Sequence, residues 1–433
     1  MIPIDHGALH ITPTPAERDR LRELAVKYME IATSDRMKEI KRLWKVNQSL
    51  KSERPLLVFE TYTIAGFIGP EDLKCVNPYL RNIEMWMVQW IKHITLVQDD
   101  VVINPYIRLP WYIVKGSYGV DIVEKHVEGS IAHLSTYPIQ EPEDIKKLVK
   151  RNFYVDRERT IDFANTLRNI FGDILPVYIG GHDPLGASYG FNLWNGFAPL
   201  LTQIQFMMMG YENMCYWMYD YPDELKYVID YLHDDNMRFL DFVEKEQLAV
   251  LNTDGVQVGA AGYGFCDDLP ELTPETMEKP AALKDCWGVA ESQESTVFSP
   301  DTFAEWFLPP IAEFANRFGH TSYGCCEPIH DRFDKISAAI HNLRTVSVTA
   351  WCDQEKALEL LQNNYVYQRK PNPAFLTGPN PNWEAARKDL EFTRDLTKDQ
   401  CSTQYLIRDV YDTAGDMNRA ADWTRMAKEV FGI

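Results

Sequence analysis

Arg344-Thr-Val-Ser-Val-Thr-Ala350 is a short apolar run rich in β-branched residues; Asp353 to Leu361 follows with apolar residues at helical spacing, then Tyr365-Val-Tyr367. The reading is a buried strand, a helix and a second buried strand. A parallel connection needs a crossover of about a dozen residues, which a helix supplies, so the two strands are expected to run side by side in the same direction. Working upstream, helical patterns cover Pro328 to Ile340, Pro300 to Phe318 and Asp223 to Glu244. Strand-like runs occur at Thr321-Ser-Tyr-Gly-Cys-Cys-Glu327, Gly255-Val-Gln-Val258, Leu175-Pro-Val-Tyr-Ile-Gly180, Asp100-Val-Val-Ile103 and Pro55-Leu-Leu-Val-Phe59. Regular alternation of this kind predicts a (β/α)8 TIM barrel.

The beginning of the chain departs from that alternation. Thr14 to Lys51 carries Leu21, Leu24, Ala25, Tyr28 and Met29 at helical spacing, and Thr14-Pro-Ala-Glu17 has the polar cap and early proline of a helix start. An aromatic helical stretch follows from Tyr79 to Val97. These segments predict an N-terminal helical cap and extension over residues 1–98, ahead of a catalytic barrel over 99–433. No internal repeat or low-complexity segment interrupts the pattern.

Composition narrows the function. The 433 residues carry a net charge of −19, which repels phosphate backbones and anionic lipid, so nucleic acid and membrane surfaces are not expected partners. No apolar run is long enough for a membrane span. The first residues, Met1-Ile-Pro-Ile-Asp-His6, lack a basic segment followed by an apolar one, and the expected location is cytoplasmic. The eight cysteines then read as buried, metal-bound or reactive rather than disulfide-bonded.

In a barrel of this type the chemistry lies at the C-terminal ends of the strands. His182 follows Val177-Tyr-Ile-Gly-Gly181 and is a candidate acid; Tyr189 and Trp194, with Phe191 and Phe197 beside them, are candidates to hold an aromatic ligand. Met207 to Met218 is dense in sulfur and aromatic rings, and Met208 is taken as a pocket residue, the alternative being a core stripe. Glu291 and Glu294 follow another apolar run; a carboxyl there can ligate a metal or act as acid or base, the alternative being a solvated loop. The period of two places Tyr323, Cys325 and Glu327 on one face of a strand and Cys326 on the other, with Trp351 and Cys352 ending the next strand. Thiolate, imidazole and carboxylate suit zinc, and a catalytic site needs three protein ligands and an open position. Cys325, Glu327 and Cys352 are the predicted metal set, with Glu291, Cys326 and His330 in reserve; the alternative is a buried, inert cysteine pair.

Trp287-Gly-Val-Ala-Glu-Ser-Gln-Glu-Ser295, Phe298-Ser-Pro-Asp-Thr-Phe303, Leu308-Pro-Pro310 and Tyr323-Gly-Cys-Cys-Glu-Pro328, followed by Val348-Thr-Ala-Trp-Cys-Asp353 and Lys370-Pro-Asn-Pro373, occur in an order that resembles the uroporphyrinogen decarboxylase superfamily. The resemblance runs from about Trp44 to the C-terminus and is to the branch of corrinoid-dependent methyltransferases, which includes O-demethylase components. It implies a TIM barrel, a zinc site and methyl exchange with cobalamin carried by a separate corrinoid protein. That branch has His-x-Cys where this chain has Tyr323-Gly-Cys325, so a different ligand is needed. The decarboxylase itself needs an arginine-rich cleft, and Arg108 in Val101-Val-Ile-Asn-Pro-Tyr-Ile-Arg108 stands alone.

The expected activity is therefore methyl transfer from a small methyl donor, a methoxylated aromatic compound, to the Co(I) corrinoid of a partner protein. Tyr323, His182 and Glu291 are the expected catalytic residues, and Tyr189, Trp194, Met208 and Trp351 the expected substrate contacts. Methyl transfer from a corrinoid protein to a thiol or folate, a decarboxylase-like enzyme and a non-catalytic binding barrel are the alternatives. The sequence leaves homodimer formation open.

Overall fold

Thr14 starts the first helix, α1 (Pro15–Ala32), through a reciprocal cap: its hydroxyl accepts the Glu17 N–H and its own N–H donates to the Glu17 carboxylate. The computed structural model describes residues 11–126, 133–182, 197–259 and 261–433. The stretch from Thr14 to Lys51 is two helices, not one. Thr33 and Ser34 turn their hydroxyls back onto the carbonyls of Met29 and Ile31, ending α1, and Ser34 then caps α2 (Asp35–Gln48).

The remaining elements alternate along the chain. They are β1 (Leu56–Phe59), α3 (Pro78–Leu96), β2 (Ile107–Lys115), β3 (Glu124–His126), β4 (His133–Ser135), β5 (Phe153–Asp156), α4 (Arg157–Phe171) and β6 (Val177–His182). Next come α5 (Leu201–Asp220), α6 (Pro222–Lys245), β7 (Trp287–Ala290), α7 (Pro300–Trp306), α8 (Leu308–Ala315) and β8 (His320–Tyr323). The chain ends with α9 (Phe333–Ala339), β9 (Leu343–Val348), α10 (Gln354–Leu361), β10 (Val366–Arg369), α11 (Trp383–Thr397), β11 (Thr403–Ile407) and α12 (Arg419–Phe431). The stretch from Pro300 to Phe318 is divided at Phe307, because Pro309 and Pro310 lack the N–H groups that would continue one helix.

Six strands form a parallel sheet in the order β1-β11-β10-β9-β8-β7. A second sheet, β5-β2-β6, has β2 and β6 parallel and β5 antiparallel at the edge. The α/β class and parallel pairing are as the sequence predicts, but the described strands do not join into a closed ring. Side chains supplement isolated backbone bonds at the seams, Asp100 N–H to the Leu57 carbonyl beside β1 and Val289 N–H to the Phe197 carbonyl beside β7. Beside β1, the carboxylates of Asp99 and Asp100 accept the N–H groups of Phe59 and Leu57 at 2.8 and 2.9 Å. Beside β7, the Asn252 amide bonds both the N–H and the carbonyl of Trp287. Asp100–Ile103 and Gly255–Val258, expected as strands, are thus irregular, with Gln257 making an isolated bridge to Tyr263.

The helices cover this framework through apolar faces. Leu21, Leu24 and Tyr28 of α1 are buried with Leu80, Ile83 and Met87 of α3, and Trp44 of α2 donates its indole N–H to the Asp100 carbonyl at 2.7 Å. A second cluster joins α5, α6, α8 and the ends of β7 to β10, and includes Met208, Ala290, Tyr323 and Cys352. Among the described residues, no helix is long and apolar enough to cross a membrane.

Candidate functional site

Four strands of the six-stranded sheet are followed immediately by a charged residue: Glu60 after β1, Glu291 after β7, Lys370 after β10 and Arg408 after β11. Parallel register brings these positions to one end of the sheet, since Phe59 lies opposite Ile407 and Val348 opposite Arg369. This is the C-terminal end, where backbone carbonyls and loops converge in α/β enzymes.

β8 ends earlier than expected. Gly324 has φ +102°, a left-handed conformation that turns the chain out of the strand, and Ser347 closes against it by donating to the Gly324 carbonyl at 2.9 Å. Strand alternation therefore stops at Tyr323 and does not govern Cys325, Cys326 and Glu327. Instead the Glu327 carboxylate folds back, accepting the Cys325 N–H at 2.8 Å and the Ser292 N–H at 3.0 Å, and so ties the β8 loop to the β7 loop. Ser292 also bonds Tyr323 through the two hydroxyls at 2.7 Å.

Glu291, Glu294 and Glu327 are all buried. Glu294 is fixed by the Thr202 hydroxyl at 2.8 Å, and Glu291 Oε2 accepts the Gln293 N–H at 3.0 Å. Glu291 Oε1 is buried and has no hydrogen-bond partner among the described residues. Burial, followed by the neighbouring Glu294 and Glu327 carboxylates, pushes the Glu291 carboxyl well above its ordinary range. The shift favours the protonated form, and among the described residues one oxygen has no partner. Burial likewise raises the Tyr323 phenol, with Glu327 adding to the effect.

The thiols of Cys325 and Cys326 lie 3.8 Å apart. The contact favours one thiolate shared within the pair. Cys326 is lowered by the hydrogen bond from Cys325, while Cys325 is raised by the same bond and by burial. Lys370 approaches from β10, donating through Nζ to the Cys325 carbonyl at 2.9 Å, and burial together with the Arg408 charge lowers its ammonium. Arg408 is paired with Glu60 at 3.0 Å, and the Tyr62 hydroxyl donates to the same Glu60 oxygen.

Of the residues singled out from sequence, the structure brings Glu291, Tyr323, Cys325 and Glu327 together. Cys352 is buried in the apolar cluster below, where its sulfur accepts the Ile329 N–H at 3.4 Å. Cys325, Glu327 and Cys352 do not converge as a ligand set. Among the described residues, one group of three potential ligands has all its ligand atoms within 4.8 Å of one another: Cys266, Asp268 and His320. His330 Nδ1 accepts the Asp353 N–H. Met208 is fully buried in the core, and Trp351 is 67 % exposed. His182 ends β6, with its side chain outside the described residues, where Tyr189 and Trp194 also lie.

Sequence reasoning missed Lys370, Arg408 and Glu60 as site residues. Lys370 follows a strand read as ending at Tyr367, and Arg408 follows a strand that was not recognised; correct strand ends would have exposed both. Two clefts lie elsewhere. One of about 490 Å³, lined by Lys51, Arg54, Ser402 and Thr403, is at the N-terminal ends of β1 and β11. Another of about 380 Å³ is lined by Lys115, Arg151 and Phe239. Neither is lined by Glu291, Glu294, Cys325, Cys326 or Glu327.

No family model matches the sequence, and no curated protein matches it. Among solved structures the chain is similar to a methyltransferase from Methanosarcina mazei, with 10% identity, 94% of this chain and 98% of that chain covered, and a TM-score of 0.47. Likeness of that degree carries no argument about activity.

Proposed function

We propose that the chain moves a methyl group from a methoxylated aromatic compound to the Co(I) corrinoid of a partner protein, on a TIM-type arrangement of the uroporphyrinogen decarboxylase superfamily. The observation that supports this reading is Glu291: a buried carboxyl at the strand ends beside Glu294 and Glu327, whose surroundings favour its protonated form and whose Oε1 has no partner among the described residues. An aryl methyl ether does not release its methyl group readily, because phenolate is a poor leaving group. Protonation of the ether oxygen as the bond breaks removes that obstacle.

In the proposed step the methyl carbon leaves the oxygen and bonds to the acceptor cobalt, which supplies the electron pair. The pair of the broken C–O bond stays on oxygen, which takes the Glu291 proton. The products are a phenol, a Glu291 carboxylate and the methylated acceptor. The Glu294 and Glu327 carboxylates favour proton return to Glu291 between turnovers. Tyr323 and Ser292 hold the loop that carries Glu291, and Lys370 and Arg408 offset the local negative charge.

Zinc was expected to withdraw charge from the ether oxygen at Cys325, Glu327 and Cys352. Those residues do not fit it as they stand: among the described residues they are not a group with ligand atoms within 4.8 Å of one another, and Cys352 lies in the apolar cluster. No step is assigned to zinc at the strand ends.

The test is anaerobic absorbance spectroscopy of Co(I) corrinoid protein mixed with this chain and, in turn, methoxybenzoates, methoxyphenols, methanol and methylamines. Methylation of the corrinoid with methoxylated aromatics, lost in Glu291→Gln, supports the reading. Methylation with methanol or methylamines alone rejects the donor class, and none with any donor, using a competent corrinoid partner, rejects the reaction.

A further inference from the structure

We propose that Cys266, Asp268 and His320 form a binding site for one zinc-type divalent cation at the end of the sheet opposite Glu291. His320 is the first residue of β8, whereas Glu291 and Cys325 follow the last residues of β7 and β8. The two locations are separated by the length of the strands.

The geometry is close to that of a bound ion. The three ligand atoms lie within 4.8 Å of one another, and His320 Nε2 stands 2.8 Å from Asp268 Oδ1. Zinc bonds of about 2.0–2.3 Å in a tetrahedral set leave ligand atoms roughly 3.3–3.8 Å apart, so the Cys266 sulfur moves inward while the His320–Asp268 pair opens and exchanges its hydrogen bond for the ion. Sulfur, nitrogen and carboxylate oxygen together favour zinc over magnesium or calcium.

The surroundings hold each ligand in place. Arg344 pairs with Asp268 Oδ2, leaving Oδ1 to face His320. Trp287 lies against the His320 ring, with centroids 5.0 Å apart, and donates its indole N–H to the Gly264 carbonyl at 2.8 Å, fixing the loop that carries Cys266. Burial raises the Cys266 thiol above its ordinary value, with the Leu269 peptide N–H and the Trp287 indole acting against it. Cys266 and His320 are buried, at 6% and 9% exposure, while Asp268 is exposed and leaves an approach from solvent. Cys266 also packs with Val258 and Trp287 in a small apolar cluster, and the cation would use its sulfur together with the other two ligands. Two anionic ligands and a neutral imidazole match a dication, and three protein ligands leave the fourth position open to water. The bound ion would clamp the Cys266 loop to the start of β8.

The test uses the reduced full-length chain loaded with zinc and desalted, with elemental analysis, and cobalt(II) as a spectroscopic probe. Wild type and the Cys325→Ala/Cys326→Ala double variant should each retain about one zinc per chain. They should also show thiolate-to-cobalt absorption. Cys266→Ser and His320→Ala should lose both, and zinc should raise the thermal midpoint of wild type but not of Cys266→Ser. Absence of retained zinc in wild type overturns the proposal, as does cobalt–thiolate absorption that persists in Cys266→Ser. Cys266→Ser changes one atom and decides the matter if His320→Ala does not fold. None of these readouts depends on methyl transfer, so the site stands or falls separately from the proposed reaction.

Discussion

The side-chain amide of Asn252 is paired with the peptide of Trp287: Nδ2 donates to the Trp287 carbonyl at 3.0 Å, and Oδ1 accepts the Trp287 N–H at 2.8 Å. A side chain here does what the backbone of an adjoining strand would do. Buried peptide groups must be satisfied, and at this seam the residues around Asn252 are too irregular to supply a ladder. The sheet edge at β7, which the backbone meets only at the Phe197–Gly288 bridge, is thus satisfied in part by chemistry that strand periodicity does not reveal.

Asn252→Leu leaves both groups of Trp287 without partners. Two buried polar groups left unsatisfied cost on the order of 3 kcal/mol. Urea denaturation should show that loss, and an unchanged midpoint would mean that the segment rearranges to satisfy the peptide in another way.

Glu291→Gln removes the proton while keeping the shape. Methyl transfer is expected to fall by roughly 10²- to 10⁴-fold, the usual contribution of a positioned acid. In wild type, activity should decline as pH rises through the raised Glu291 value. Activity that persists in the variant with an unaltered pH profile would remove Glu291 from the mechanism.

The same residue links stability to pH. Its carboxyl is raised in the folded chain, so the folded state binds the proton more tightly than the unfolded state. The stability it contributes is full below the ordinary value of 4.5 and is lost as pH rises from there toward the folded value. Glu291→Gln should lose less stability than wild type over that window, measured by denaturant unfolding at successive pH values.

Gly324→Ala tests the turn that ends β8. The added Cβ would stand 2.9 Å from the Ser347 Cβ, at a φ of +102° that disfavours alanine. Ser347 is held by its bond to the Gly324 carbonyl and has little freedom to withdraw. A destabilisation of about 1–3 kcal/mol is expected from the strained backbone. Thermal denaturation provides the comparison.

Cys326 should be alkylated by iodoacetamide before Cys325 and Cys352, because the Cys325 contact lowers its thiol and Lys370 adds positive charge nearby. Peptide mapping by mass spectrometry gives the order. Lys370→Met should slow the reaction at Cys326; an equal rate at all three thiols would show that the pair does not share charge as described.

The sequence by itself determined the α/β class, the positions of β1, β6, β9 and β10 to within a few residues, and the placing of Glu291 directly after a strand. Those features follow from local signals: β-branched runs between helical patterns, and polar residues placed directly after them. Tertiary structure alone decided that β8 stops at Tyr323, since the turn at Gly324 depends on Ser347 of the neighbouring strand. It also moved Cys352 into the core and gathered Cys266, Asp268 and His320 from a loop and a strand start more than fifty positions apart. Glu291 is acidic by composition, and only burial beside Glu294 and Glu327 raises its carboxyl well above the ordinary range. Periodicity reports which way a side chain points within one segment; charge state, seam closure and ligand convergence arise between segments.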